Sequence, residues 1–238
     1  MGKEILDQIL ENAGIADCEG IPVCQDTGFA VVFIDIGQNV CLTGEYLMAA
    51  VNSGVKDGYT EGCLRKSMVA DPLKRINTGN NTPAIVHIRI VPGDRVSITV
   101  APKGGGSENM SSLKMLKPAE GEEGVKKFVV ETVKNAGPNP CPPVIVGVGI
   151  GGTMEKAALL AKQALTREAG APSNDADTAR LERELLAEIN QLGIGPQGLG
   201  GDTTALAVHI EKYATHIACL PVAVNLGCHA YRHTTAII

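Results

Sequence analysis

The sequence predicts an α/β fold: a mixed sheet, containing an antiparallel hairpin, packed between helices. Three observations carry this expectation. Near-continuous apolar runs at 29–36 and 144–150 have the length and β-branched content of buried strands. Residues 84–90 and 96–100 alternate in polarity, with Val86, Ile88 and Ile90 on one face and His87 and Arg89 on the other, and Pro92-Gly93-Asp94 between them is a turn signal. Apolar positions recur at helical spacing in 46–55, 122–135, 154–168 and 178–192.

Each element has its own local justification. Ile5, Leu6, Ile9, Leu10 and Ala13 form one stripe of a short first helix, expected to end at Gly14. That helix starts almost at residue 1 without a cap, so the chain is expected to be shortened at its N-terminus. The helix over 122–135 is acidic at its start, basic near its end and stopped by Gly137, as the helix dipole favours. His87 is expected on a solvent-facing strand face, and His209 is read as structural. His216 precedes a strand-like run and is open to either a structural or a functional role. Residues 171–177 make the best linker, too short to divide the chain, and 1–238 is expected to be a single domain.

Composition narrows the function classes. The 238 residues are 44% hydrophobic and 20% charged, enough for a sizeable core. Aromatics are only 3% with no Trp, so Val, Ile, Leu and Ala must fill that core. A net charge of −5 and no basic stretch interleaved with aromatics argue against a nucleic-acid partner. No apolar run approaches the roughly 20 residues of a membrane span. Charge in Met1-Gly2-Lys3-Glu4 sits where a signal peptide needs apolar residues, so the seven cysteines are expected to stay reduced in the cytoplasm.

Three of those cysteines stand in marked turns. Cys24, Gln25 and Asp26 are consecutive between Pro22 and Gly28. Cys141 is enclosed by Pro138, Pro140, Pro142 and Pro143, a segment that excludes helix and central strand and holds the thiol on a stiff loop. Cys228 follows Gly227. No C-x₂₋₄-C spacing occurs, so a zinc ribbon or finger is not supported. Three separate cysteines converging on one iron–sulfur cluster would leave one iron without a protein ligand, because such clusters commonly take four. The bland alternative is a set of polar turns that happen to contain thiols.

Two glycine segments invite anion chemistry. Lys103-Gly104-Gly105-Gly106-Ser107 can present backbone N–H groups to an anion but lacks P-loop order. Gly147, Gly149 and Gly152 match G-x-G-x-x-G after a strand and before a helix. The next periodic segment is another helix rather than the second parallel strand with its terminal acid, so a dinucleotide site is discounted.

In order, Pro22 to Gly28, Lys103 to Asn109, Asn139 to Pro143, Gly149 to Thr153, and Thr215-His216 with Cys228-His229-Ala230 resemble the α subunit of the class I fumarate hydratase and L(+)-tartrate dehydratase family, oxygen-sensitive iron–sulfur hydro-lyases. The resemblance implies that Cys24, Cys141 and Cys228 bind a [4Fe-4S] cluster with one open iron. It places Gln25, Asp26, Arg65 and Gly105 against a dicarboxylate, and Asp26 and His216 among the catalytic groups. It also implies a β subunit, in an α2β2 assembly, and an N-terminal helical segment beyond this chain's start. The implied reaction is reversible dehydration of a 2-hydroxy dicarboxylate, (S)-malate to fumarate ahead of L(+)-tartrate. The chain alone is expected to be inactive or nearly so. A nucleotide-binding oxidoreductase and a non-catalytic scaffold are the competing classes.

Overall fold

The computed structural model describes residues 1–238. Along the chain the elements are α1 (Gly2–Glu19), β1 (Phe29–Gly37), α2 (Leu47–Glu61), β2 (Ile85–Val91), β3 (Val96–Lys103), α3 (Gly105–Glu108), β4 (Ser112–Leu116), α4 (Gly121–Ala136), β5 (Val144–Gly151), α5 (Met154–Ala164), α6 (Ala176–Asn190), β6 (Ala205–Tyr213), β7 (Leu220–Gly227) and β8 (Thr234–Ile237). The α/β class with mixed sheets is as expected. The chain divides into two compact units, Gly20–Gly105 with Tyr231–Ile238, and Met1–Glu19 with Gly106–Ala230. The 171–177 stretch lies inside the second of these, not at a boundary.

The first unit is a four-stranded sheet in the order β2-β1-β3-β8. β1 pairs in parallel with β2 and antiparallel with β3. Val32, Ile34 and Ile36 face Leu47, Val51 and Val55 of α2, with Tyr59 closing the core. The opposite face is polar and half open, with Asp35 bonded to Arg89 of the neighbouring strand and His87 stacked on Phe33 at 5.3 Å. The hairpin expectation needs correction. β2 and β3 share a sheet, but β1 lies between them, and the end of β1 enters the turn that joins them. Gly37 N–H donates to Arg95 O, Gln38 N–H to Val91 O and Asn39 N–H to Gly93 O. A Cβ on Gly37 would stand 2.6 Å from Gly93 O, so only glycine lets the strand pass. The near-continuous apolar run of β1 fits a central strand, whereas alternation in β2 and β3 does not say which strand lies alongside, and Ile88 and Ile90 of β2, expected on the buried face, are exposed.

The second unit has a sheet in the order β4-β7-β5-β6, with β5 parallel to β6 and antiparallel to β7. Val144, Val146 and Val148 of β5 join Val129 and Val133 of α4 and Leu185 and Ile189 of α6 in the main core. Each such buried aliphatic side chain contributes roughly 1.5–3 kcal/mol. The other face of β5 carries Gly147 and Gly149, and α5 lies directly on it. A Cβ at Gly147 would be 2.2 Å from Ala161 O, and one at Gly149 would be 2.0 Å from Ala157 O. The G-x-G pattern thus serves close helix–strand packing. The parallel partner strand that seemed missing is β6, reached through α5 and α6, so that expectation is corrected as well. Gly149→Ala is expected to destabilise the fold by about 3 kcal/mol, seen as a lowered urea midpoint. An unchanged midpoint would contradict this packing.

β6 is an edge strand, and its exposed backbone is capped. Glu182 of α6, itself buried, accepts the Ile210 N–H at 2.8 Å and pairs with Arg167 at 2.7 Å. This covering blocks addition of another strand. His209 beside it is 1% exposed, bonded through Nδ1 to Ala164 O at 3.2 Å, with Nε2 buried and unpartnered. Burial, reinforced by the Arg167 guanidinium, holds its pKa below the ordinary 6.5 against the opposing pull of Glu182. Below about pH 6.5 the unfolded chain takes up a proton that the folded chain resists, so stability is full above that pH and falls beneath it. His209→Gln is expected to flatten the loss of urea midpoint between pH 7.5 and 5.5. An identical loss in both proteins would contradict the assignment.

α1 runs through Gly14, which costs only about 1 kcal/mol in a helix interior, and stops before Gly20 at φ +65. Gly2 of α1 comes close to the Gly200 carbonyl. No helix is long and apolar enough to cross a membrane.

Candidate active site

In the first unit the Ile21–Gly28 turn is built around Asp26. Its Oδ1 accepts the Gly28 N–H at 3.0 Å and its Oδ2 accepts the Gly105 N–H at 2.9 Å. The Asp26 N–H in turn donates to Cys24 Sγ at 3.4 Å, while the thiol donates to Gln25 Oε1 at 3.2 Å. Gly28 has φ +72, and a Cβ there would meet the Lys103 backbone at 2.6 Å, so no other residue fits. The glycine run therefore holds the carboxylate, and the Gly105 N–H is already committed to it.

Residues that sequence reasoning did not single out fix this turn. The Tyr59 hydroxyl lies 2.9 Å from Thr27 O and 3.2 Å from Gly28 O. Burial pushes its pKa up to about 12 despite the nearby Arg232 guanidinium, so it stays a neutral donor. Asn81 is fully buried with φ +61, its amide donating to Gly28 O and its Oδ1 accepting from Ser67 and Met68 N–H groups. Thr27 Oγ1 donates to Arg65 O at 3.1 Å. Together these bonds place the Arg65 loop beside Gln25 and Asp26. The Arg65 and Gln25 side chains are exposed, and the Ser67 hydroxyl is buried beside them without a partner. The turn carrying Asp26 and the loop carrying Arg65 are thus joined through the Thr27 hydroxyl and the Arg65 carbonyl.

In the second unit Cys141 and Cys228 sit on two turns joined by hydrogen bonds. Cys141 has φ +55, and its carbonyl accepts from the backbone N–H of His229 at 3.2 Å. Cys228 follows the last residue of β7. Gln197, in the Pro196–Gly198 turn, reaches both. His216 lies on the exposed 214–219 loop, where its Nδ1 accepts the Ala218 N–H at 3.1 Å. A neutral ring therefore carries its proton on Nε2. Thr215, His216 and Cys219 line two adjoining clefts of about 430 and 660 Å³.

Cysteine thiolates are soft ligands of the kind that iron–sulfur groups take. Cys24, Cys141 and Cys228 are outside any disulfide and reach solvent at least in part. Cys24 Sγ already accepts a backbone N–H, the type of bond that stabilises a ligating thiolate. Neither unit by itself assembles three His, Cys, Asp or Glu side chains as a metal site.

The chain's matches to known proteins assign it to the hydro-lyases. The model of the fumarate hydratase (Fumerase) family matches residues 1–237, and the chain belongs to that family. It is 47% identical over 238 residues to a Methanocaldococcus jannaschii protein provisionally named L(+)-tartrate dehydratase subunit alpha, covering 98% of this chain and 83% of that one. It is 38% identical over 242 residues to the L(+)-tartrate dehydratase subunit alpha of Escherichia coli K12, covering 100% of this chain and 79% of the relative. The Shigella sonnei protein of the same name matches to the same extent.

Proposed function

We propose that this chain is the α subunit of an iron–sulfur hydro-lyase that reversibly dehydrates a 2-hydroxy dicarboxylate, (S)-malate to fumarate and water, in the cytoplasm with a β subunit. The observation that carries the reading is the Asp26 carboxylate, held by two backbone N–H groups two residues after Cys24 in the same turn. Cys24, Cys141 and Cys228 would hold a [4Fe-4S] cluster. When bound with three protein ligands, such a cluster supplies an open iron with Lewis-acid character.

The remaining chemistry belongs to the chain's own groups. Arg65 offers a two-pronged guanidinium to one substrate carboxylate, and Gln25 an amide to another oxygen. Asp26 keeps free lone pairs after accepting its two N–H bonds, so it can take the proton from the carbon next to the departing hydroxyl and return it in the reverse direction. His216 presents an Nε2–H to a substrate oxygen. Both substrate carboxylates are conserved through the reaction, so these contacts orient the molecule in either direction.

The names of the relatives favour a second reading, L(+)-tartrate as substrate. Anaerobic assay of the chain with its β subunit on both acids decides between them: turnover of malate at a kcat/KM at least tenfold above that of tartrate is expected. The reverse preference would replace the first reading with the second. The chain without β subunit is expected to show little turnover of either acid, and full activity from it alone would remove the subunit requirement.

A further inference from the structure

The turns carrying Cys141 and Cys228 are tied to one another by residues that the proposed chemistry does not use. Gln197 donates its backbone N–H to Pro142 O at 2.7 Å and a side-chain N–H to the same oxygen at 3.0 Å. The same Nε2 lies 3.0 Å from His229 Nδ1. His229 Nδ1 also stands 3.1 Å from Cys141 O, while the His229 backbone N–H donates to that carbonyl at 3.2 Å. In either ring tautomer the imidazole is therefore bonded into the set, as donor to the carbonyl or as acceptor from the amide.

Backbone conformation shows that this arrangement is imposed. Cys141 and Gln197 are both non-glycine residues in the left-handed region, at φ 55 and 54. Each costs on the order of 1–2 kcal/mol and persists only where its surroundings over-determine it. Gly198 is pressed so tightly on the first turn that a Cβ would lie 2.3 Å from the Pro138 side chain. Both are held in place by bonds between the turns: Gln197 donates twice to Pro142 O, and Cys141 O accepts the His229 N–H.

We propose that Gln197 and His229 are positioning residues: a clasp that presets Cys141 and Cys228 for metal binding before the metal arrives. The inference rests on the cluster reading above, and it predicts a property of the metal-free chain as well. Preorganised ligands bind more tightly because less order is lost on binding, and loss of a supporting partner typically weakens metal retention 10- to 100-fold.

The test uses the full chain in two states. In the metal-free protein, peptide-resolved hydrogen exchange over 139–143 and 227–230 is expected to quicken about tenfold in Gln197→Ala and His229→Leu, with α4 and β5 unaffected. His229→Asn, whose amide places a polar atom near the Nδ1 position, is expected to restore the wild-type rate. In anaerobically reconstituted protein, iron loss to a chelator is expected to be about tenfold faster in the first two variants and near normal in His229→Asn. Unchanged exchange in both disruptive variants overturns the clasp, as does equal iron loss from all four proteins. A wild-type chain that takes up no iron overturns the cluster reading instead, and the exchange measurement separates that failure from failure of the clasp.

Discussion

Cys228→Ser, prepared anaerobically with iron and sulfide, is expected to emerge without cluster iron, and the complex with the β subunit is expected to lose about 10³-fold or more in turnover. The magnitude follows from the several kcal/mol that a Lewis-acidic metal contributes to stabilising developing charge. Cys24→Ser and Cys141→Ser are expected to behave alike, because a cluster held by three protein ligands has no spare one. The controls lie within the same chain. Cys41 and Cys63 are exposed thiols outside the turns described, and their serine variants are expected to keep both iron and activity. Full iron content in Cys228→Ser, or loss of iron in Cys63→Ser, would show that the ligands have been chosen wrongly.

Asp26→Asn carries the second large effect, and its cause is separable from the first. The carboxylate offers an oxygen to each of two backbone donors, Gly28 N–H and Gly105 N–H. An amide has one oxygen, so one of these N–H groups would face an NH₂ and lose its partner, at a cost of about 1–3 kcal/mol in stability. The variant also lacks a group able to accept the substrate proton. Loss of a general base typically lowers the rate 10²- to 10⁴-fold. The expected result is therefore a kcat reduced by about 10³-fold, with iron content unchanged and a modestly lowered urea midpoint. A kcat within a few-fold of wild type would assign the proton transfer elsewhere.

How legible these features were in the sequence differs from residue to residue. α4 and α6 were readable because their apolar faces recur at helical spacing and glycine or polar residues stop them. The position of β1 was not, because alternation in β2 and β3 says nothing of which strand lies alongside. Gly147 and Gly149 resembled a nucleotide fingerprint because the need for close backbone approach is shared by phosphate binding and helix packing; only the nearness of Ala157 and Ala161 distinguishes the two.

The site shows the same division. Cys24 and Cys141 stood out because proline and glycine mark their turns. Tyr59, Asn81 and Gln197 did not, since each acts across a distance in sequence that only folding closes. Asn81 reaches Gly28, and Gln197 reaches Pro142. Three of the five non-glycine residues with positive φ, Asn81, Cys141 and Gln197, lie in or against these turns, and that signal exists only in the backbone. His229 had a local signal in its place beside Cys228, but nothing in the sequence pointed to its bonds with Gln197 and Cys141.

Analysis of iron and acid-labile sulfide in the anaerobically reconstituted wild-type chain, with all cysteines in place, bears most directly on the account. Binding of one cubane cluster predicts about four of each per chain, together with broad absorption near the visible–ultraviolet edge. A chain that binds zinc alone, or no metal, while Cys24, Cys141 and Cys228 all remain open to alkylation would contradict it.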